Sequence, residues 1–127
     1  MSWMLQIEEG QMEDVHDEVQ LRRRLGELQE HARRKPMFVV LHAPNGSSLA
    51  IGLGREVSVL SYAVPGGWPA RHAVGDETND ALITFDYFGH FSEMPARYAV
   101  PVETALEATV EFFNSGKPTD RLLWEED

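Results

Sequence analysis

The stretch "MFVVLHAPNGSSLAIGLGREVSVLSYAV", Met37 to Val64, constrains this chain more than any other. Three apolar runs follow one another with almost nothing between them. Asn45-Gly46 joins the first run to the second, and its tolerance of positive φ suits a tight hairpin turn. Gly54-Arg55-Glu56 joins the second to the third. Links this short permit only antiparallel neighbours, because a parallel return needs a crossover of roughly a dozen residues or more. "MFVVLHA" is nearly continuous in apolar residues, as in a strand covered on both faces, whereas "LAIGLG" places Leu49, Ile51 and Leu53 on one face. The chain must therefore be organised around a sheet.

The flanks supply further elements. "SWMLQIEE" alternates Trp3, Leu5 and Ile7, a short strand with one buried face. Gly10 to His16 reads as polar connection. A helix is predicted from about Asp17 to Arg33, with Asp14 or Asp17 accepting from its first free amides. Leu21, Leu25, Leu28 and Ala32 draw one apolar stripe along it, and Pro36 stops it. "PGGWPARHAVGDETNDA", Pro65 to Ala81, shows no period of either kind and reads as a long loop, a feature often tied to function. "LITFDYF", Leu82 to Phe88, resumes the sheet with Ile83, Phe85 and Tyr87 on one face and Asp86 and Phe88 on the other. Gly89-His90 then turns the chain into "FSEM". A second helix follows Pro101, lined by Val102, Leu106, Val110 and Phe113, and Asn114-Ser115-Gly116 ends it. "RLLWEE" reads as the last strand, with Trp124 in the core and its acids adding to a negative rim. The fold class expected is α+β: a mostly antiparallel sheet of six or seven strands with two helices packed on one face, forming a single domain over residues 1–127.

Charge narrows the partners. The net charge is -10, and its distribution is uneven. Residues 1–35 carry eight acids and six bases, whereas residues 36–127 carry thirteen acids and five bases. Between Arg71 and Arg97 no Lys or Arg occurs, yet Asp76, Glu77, Asp80, Asp86 and Glu93 do. A field of that sign repels nucleic acid and anionic lipid and attracts a basic partner. The bases at Arg22 to Arg24 and Arg33 to Lys35 are interleaved with Glu18, Glu27 and Glu30, which marks an ion-paired helix face and no nucleic-acid site. "MSWMLQIEEGQMED" has no basic segment ahead of an apolar run, so no signal peptide is expected. The longest apolar runs fall far below the ~18 residues of a membrane span. A soluble, cytoplasmic protein is expected.

Most catalytic motifs are missing. There is no cysteine, so disulfides and thiolate metal sites are excluded. His16, His31, His42, His72 and His90 include no pair at helical spacing, and His42 reads as a packed or hydrogen-bonded strand residue. "GLG" at Gly52 to Gly54 lacks a third glycine and precedes a strand, and Gly66-Gly67 has no Lys-Ser or Lys-Thr after it. Neither Ser58 nor Ser61 has a glycine elbow around it. The acids are numerous but nothing in their spacing pairs them for acid–base work. No cofactor and no enzymatic activity are expected.

Three stretches resemble a known family. In "LAIGLGREVSVLSY", Gly54, Val59, Leu60 and Tyr62 stand in its glycine-turn-then-strand pattern. In "VPVETALEATVEFFNSGKP", Val100, Pro101, Ala105, Phe112 and Phe113 match its Val-Pro entry and its helix ending in aromatics. "LLWEE" matches a closing strand with tryptophan followed by an acid. The sequence resembles immunity protein family 1, the antidotes encoded beside secreted bacterial polymorphic toxins, including nucleic-acid deaminases. The resemblance spans most of the chain and implies a non-enzymatic inhibitor that binds one cognate toxin and covers its active site. It is weakest in Pro65 to Ala81, where an antidote is expected to differ to suit its own toxin.

Toxins that act on nucleic acid have basic clefts, and an acidic loop and strand edge complement such a cleft. The expected toxin-binding residues are Trp68, Asp76, Glu77, Asp80, Asp86, Phe88 and Glu93, with Trp68 as the anchor or else folded back over the sheet. Tyr62 and Tyr87 are expected to be buried. The alternative function is a small α+β enzyme or accessory domain with a cationic small molecule in an acidic groove. The toxin's identity, its chemistry and the oligomeric state stay open.

Overall fold

A computed structural model describes residues 2–67, 70–76 and 78–126. Alternation along the central strands decides its layers. Val39 and Leu41 of β3 (Met37–His42), Leu49, Ile51 and Leu53 of β4 (Ser48–Leu53), and Leu60 and Tyr62 of β5 (Val57–Ala63) are all buried on one face. Against that face lie Leu21, Leu25 and Leu28 of α1 (Glu18–His31) and Ala105, Ala108 and Phe112 of α2 (Val102–Ser115), in one continuous core. Asp17 caps α1, accepting from the Gln20 amide at 2.8 Å. Gly116, at φ 76°, closes α2 by donating its amide to the Phe112 carbonyl. In α2 the buried stripe centres on Ala105, Thr109 and Phe112, while Leu106 and Phe113 are only partly covered.

The sheet carries ten strands, and its α+β class and mostly antiparallel pairing are as the sequence predicts. The principal order is β10-β6-β5-β4-β3-β1-β2, where β1 is Trp3–Glu8, β2 Gln11–Val15, β6 Ala70–Val74 and β10 Leu123–Glu126. The hairpin of β7 (Leu82–Tyr87) and β8 (His90–Pro95) and the short β9 (Ala99–Pro101) complete it. Among the described residues the count exceeds six or seven because β2 and β6, in segments read as connection, are strands and because β9 is not among the strands predicted. β2 pairs with β1 from Val15 to Gln11, although its side chains are mostly polar. β6 pairs with β5 and β10, inside the segment read as a long loop. Both owe their conformation to neighbours more than to their own pattern.

The closing strand is fixed as expected. Trp124 packs at the core edge beside Tyr62, and its indole N–H donates to the Thr119 carbonyl at 2.8 Å. Its described acids, Glu125 and Glu126, however, form no free negative rim, and Asp127 lies outside the described residues. Glu125 accepts from Arg97 at 2.7 Å and from the Tyr98 hydroxyl at 3.1 Å, and Glu126 lies 3.6 Å from Arg71.

The other face of the sheet is covered differently. The β7–β8 hairpin leaves the edge of β3 through a single parallel bridge, Met37 to Asp86, and crosses the helix-free side. There Phe85 is buried with Phe38 and Val59, and Ile83 and Met94 pack around them. The Phe85 ring rests on the bare backbone of Gly52: a Cβ at that position would lie 2.6 Å from the ring. Gly52→Ala is accordingly expected to lower unfolding free energy by about 1–3 kcal/mol, the usual penalty for forced overpacking. Urea denaturation tests this, and an unchanged midpoint would mean that the hairpin is seated elsewhere.

Candidate functional site

The hairpin and the segment leading into it carry exposed apolar side chains and acids without basic partners among the described residues. Its turn is Phe88-Gly89, one residue earlier than the Gly89-His90 turn predicted. Both central residues have positive φ, 50° for Phe88 and 90° for Gly89, the combination that a two-residue turn between twisted strands requires. Phe88 is the only non-glycine with positive φ among the described residues. It thus lies outside the strand alternation and does not share a face with Asp86; its half-buried ring meets Tyr87 at 4.8 Å between centroids.

Alternation sorts the remaining side chains. Phe85 and Ile83 point at the sheet, and Tyr87 follows them, its ring 5.8 Å from that of Phe38. Tyr87 nonetheless remains 43% exposed, contrary to the burial expected, because the hairpin overhangs the sheet at this end. On the outer face Asp86 is cross-strand to Phe91 and Thr84 to Glu93. Phe91 is 74% exposed and Leu82 61%, an apolar strip that no periodicity argument had singled out.

The acids divide into two groups. Asp86 is not a free charge. It accepts from the Gly89 amide at 3.0 Å, lies 3.9 Å from the Lys35 ammonium, and its own amide donates to the Pro36 carbonyl at 2.8 Å. It staples the turn to the start of β3. Asp76, Asp80 and Glu93 are exposed, and none has a basic partner among the described residues. Asp76 and Asp80 precede β7, at the opposite end of the hairpin from Asp86. Asp76 accepts from the Thr78 hydroxyl at 2.7 Å and amide at 3.0 Å, and these bonds hold its carboxyl below the usual range. Its charge therefore persists to lower pH than an ordinary aspartate and is lost only as pH falls through that depressed value. Gly75 anchors the acidic segment by donating to the Arg97 carbonyl at 2.7 Å. Trp68 and Glu77 lie outside the described residues.

Beneath the hairpin runs a groove of about 300 Å³, lined by Val40, Ala50, Ser61, His72, Tyr87 and Met94 among others. Ser61 Oγ and His72 Nδ1 share a hydrogen bond of 2.7 Å, and the His72 ring lies 5.0 Å from that of Tyr98. Among the described residues no carboxylate lines this groove. A second cleft of about 430 Å³ holds Glu8, Glu9 and Asp86, but also Lys35 and His31. No group of three His, Asp or Glu side chains suited to a metal ion occurs among the described residues. His42 is hydrogen-bonded to Gln6 at 2.8 Å, as expected of a packed strand histidine, and burial pushes its pKa down.

A scan against family models matches residues 9–126 to the immunity protein Imm1. The chain belongs to the Imm1 immunity protein family. No curated protein matches it by sequence. Membership in Imm1 fits an immunity role and a protein toxin as partner. The basic helix faces are ion-paired: Arg22 with Glu18 and Glu107, Arg24 with Glu13 and Glu27, and Arg33 with Glu30. No helix among the described residues is long and apolar enough to cross a membrane.

Phe88 stores strain at this surface, since a bulky residue in the left-handed region costs about 1–2 kcal/mol. Phe88→Asn is expected to raise unfolding free energy by up to about 1 kcal/mol. Chemical denaturation checks this; a fall instead would show that the ring's packing on Tyr87 outweighs the backbone cost.

Proposed function

We propose that this Imm1 protein neutralises a cognate toxin by stoichiometric, non-catalytic binding in the cytoplasm, through the outer face of the β7–β8 hairpin and the acidic segment at its base. The observation that carries the reading is the exposure of Leu82 and Phe91 on that outer face, with Tyr87 exposed beside the turn, together with the carboxylates Asp76, Asp80 and Glu93, which have no basic partner among the described residues. Exposed aromatic anchors ringed by charge are what protein interfaces use, and such a patch rarely persists on a protein without a partner. The sign of the charge favours a toxin with a basic cleft, as an enzyme acting on nucleic acid has. A deaminase is the class the family resemblance suggests. Trp68, Glu77, Asp86 and Phe88 belong to the proposed surface with different weights. Asp86 and Phe88 shape the turn, while Trp68 and Glu77 lie in the chain beside the exposed acids.

The alternative, an acidic groove for a cationic small molecule, has less behind it. No described carboxylate lines the groove under the hairpin, and in the cleft with Glu8, Glu9 and Asp86 the side chains of Lys35 and His31 offset the acids.

The test is co-expression with the toxin encoded by the neighbouring gene, followed by affinity measurement on purified proteins. Wild type is expected to protect the host cell and to bind one-to-one. Reversing Asp76, Glu77 and Asp80 to Lys is expected to weaken binding by at least ~10-fold at low salt, and less at high salt where the field is screened, with folding intact. Unchanged affinity in that variant would remove the acidic segment from the interface, and absence of any binding by wild type would remove the proposal.

A further inference from the structure

The β7–β8 hairpin has an inner edge that is occupied and an outer edge that is not. Its register is regular throughout, from Leu82 opposite Pro95 to Tyr87 opposite His90. A two-residue turn makes Tyr87 and His90 the closing hydrogen-bonded pair, and such pairs then alternate along the ladder. The bond from the Ala96 amide to the Ala81 carbonyl, 2.8 Å, continues the same alternation one step past the strands. The main-chain groups of Thr84 and Asp86 therefore point away from β8, and each has a partner: Arg55 donates to the Thr84 carbonyl at 3.0 Å, and the Asp86 amide donates to Pro36. By the same alternation the amides and carbonyls of Phe91 and Glu93 point away from β7. β8 pairs with no strand but β7, and no backbone partner meets those groups among the described residues.

Open edges are normally blunted, because unpaired backbone groups recruit any extended chain. The other two sheet edges here are blunted. β2 faces a register shift between Gln6 and Glu8 of its partner, and its Glu13 is tied to Arg24. β10 is four residues long and carries Glu125 and Glu126. β8 is six residues long, unbroken, and presents Phe91 beside the bare amides. Only Pro95, which lacks an amide, closes its far end.

We infer that β8 is a strand-addition site: the toxin docks by laying an extended, basic segment along Phe91 to Glu93, so that the sheet grows by one strand across the interface. This deepens the proposed function and rests on it. Main-chain pairing supplies the register, Phe91 an apolar contact, and Glu93 with the nearby Asp76 and Asp80 the preference for Lys or Arg in the incoming strand. A second copy of this chain is the poorer occupant, since each copy carries a net charge of -10.

The test uses the full chain and the catalytically inactivated toxin from the neighbouring gene. Amide exchange is followed by NMR in the free protein and in the complex. In the free protein the amides of Ser92 and Met94, bonded to β7, should be protected and those of Phe91 and Glu93 should exchange fast. On binding, the latter two are expected to slow by at least ~100-fold. Glu93→Pro deletes one outward amide and no bond to β7, and is expected to weaken binding by about 10- to 100-fold, whereas Glu93→Gln, which keeps the amide, is expected to cost under about 10-fold. If wild type binds the toxin but the two amides still exchange fast and Glu93→Pro binds normally, strand addition is wrong and the antidote reading survives. If wild type does not bind, the antidote reading itself falls. Should Glu93→Pro fail to fold, the exchange measurement on wild type decides alone. Protection of the same amides in a concentration-dependent dimer without toxin would overturn the choice of occupant.

Discussion

The contact between the Phe85 ring and the backbone of Gly52 determines where everything on the helix-free face lies. Two helices bury one side of the sheet, which leaves Phe38 and Val59 on the other side in need of cover. Burying such side chains is worth roughly 1.5–3 kcal/mol each, so the sheet is incomplete without a second layer. The hairpin provides it through one aromatic side chain that fits only because residue 52 has no side chain. Phe38 meets Phe85 at 5.0 Å between centroids, and the Arg55 guanidinium lies 5.6 Å from the centre of the Phe85 ring while bonding to Thr84. The docked hairpin thus presents its outer face and outer edge in one orientation.

Charge in this molecule is abundant, and six of its eleven Lys and Arg residues are committed to internal ion pairs among the described residues. Glu13, Glu18, Glu30, Glu107, Glu125 and Glu126 each face an arginine, and Asp86 faces a lysine. Exposed pairs of this kind add little stability, about 0–1 kcal/mol each, but they cancel local field. The stretch between Arg71 and Arg97 has acids and no Lys or Arg, and its Asp76, Asp80 and Glu93 have no basic partner among the described residues. An Imm1 protein built this way has a directional field although its net charge is spread along the chain.

Sequence pattern revealed those parts of the fold whose own residues decide their conformation. The helices declared themselves through leucine spacing, Asp17 and Gly116, and the β3–β4–β5 core through Asn45-Gly46 and unbroken apolar runs. β2 and β6 were illegible because an edge strand is solvated and a short inner strand shares its pattern with loops; both are held by pairing partners remote in sequence. The acidic surface was legible as composition, but its effective members were not. Asp86 and Asp80 look alike in the chain, and only tertiary proximity to Lys35 and the Gly89 amide separates them. Likewise Glu125 meets Arg97 across 28 positions of sequence. The exposure of Phe91 was missed because an aromatic in a β-prone run is usually inward.

The single parallel bridge that joins β7 to β3 has an evolutionary corollary. The hairpin is held to the main sheet by that bridge, by the Phe85 seat on Gly52 and by the bonds that Arg55 and Pro36 make to β7, and none of these contacts involves Phe91 or Glu93 of the outer strand. Sequence change at Phe91 or Glu93 therefore leaves those anchoring contacts in place, provided Gly52 and Phe85 stay.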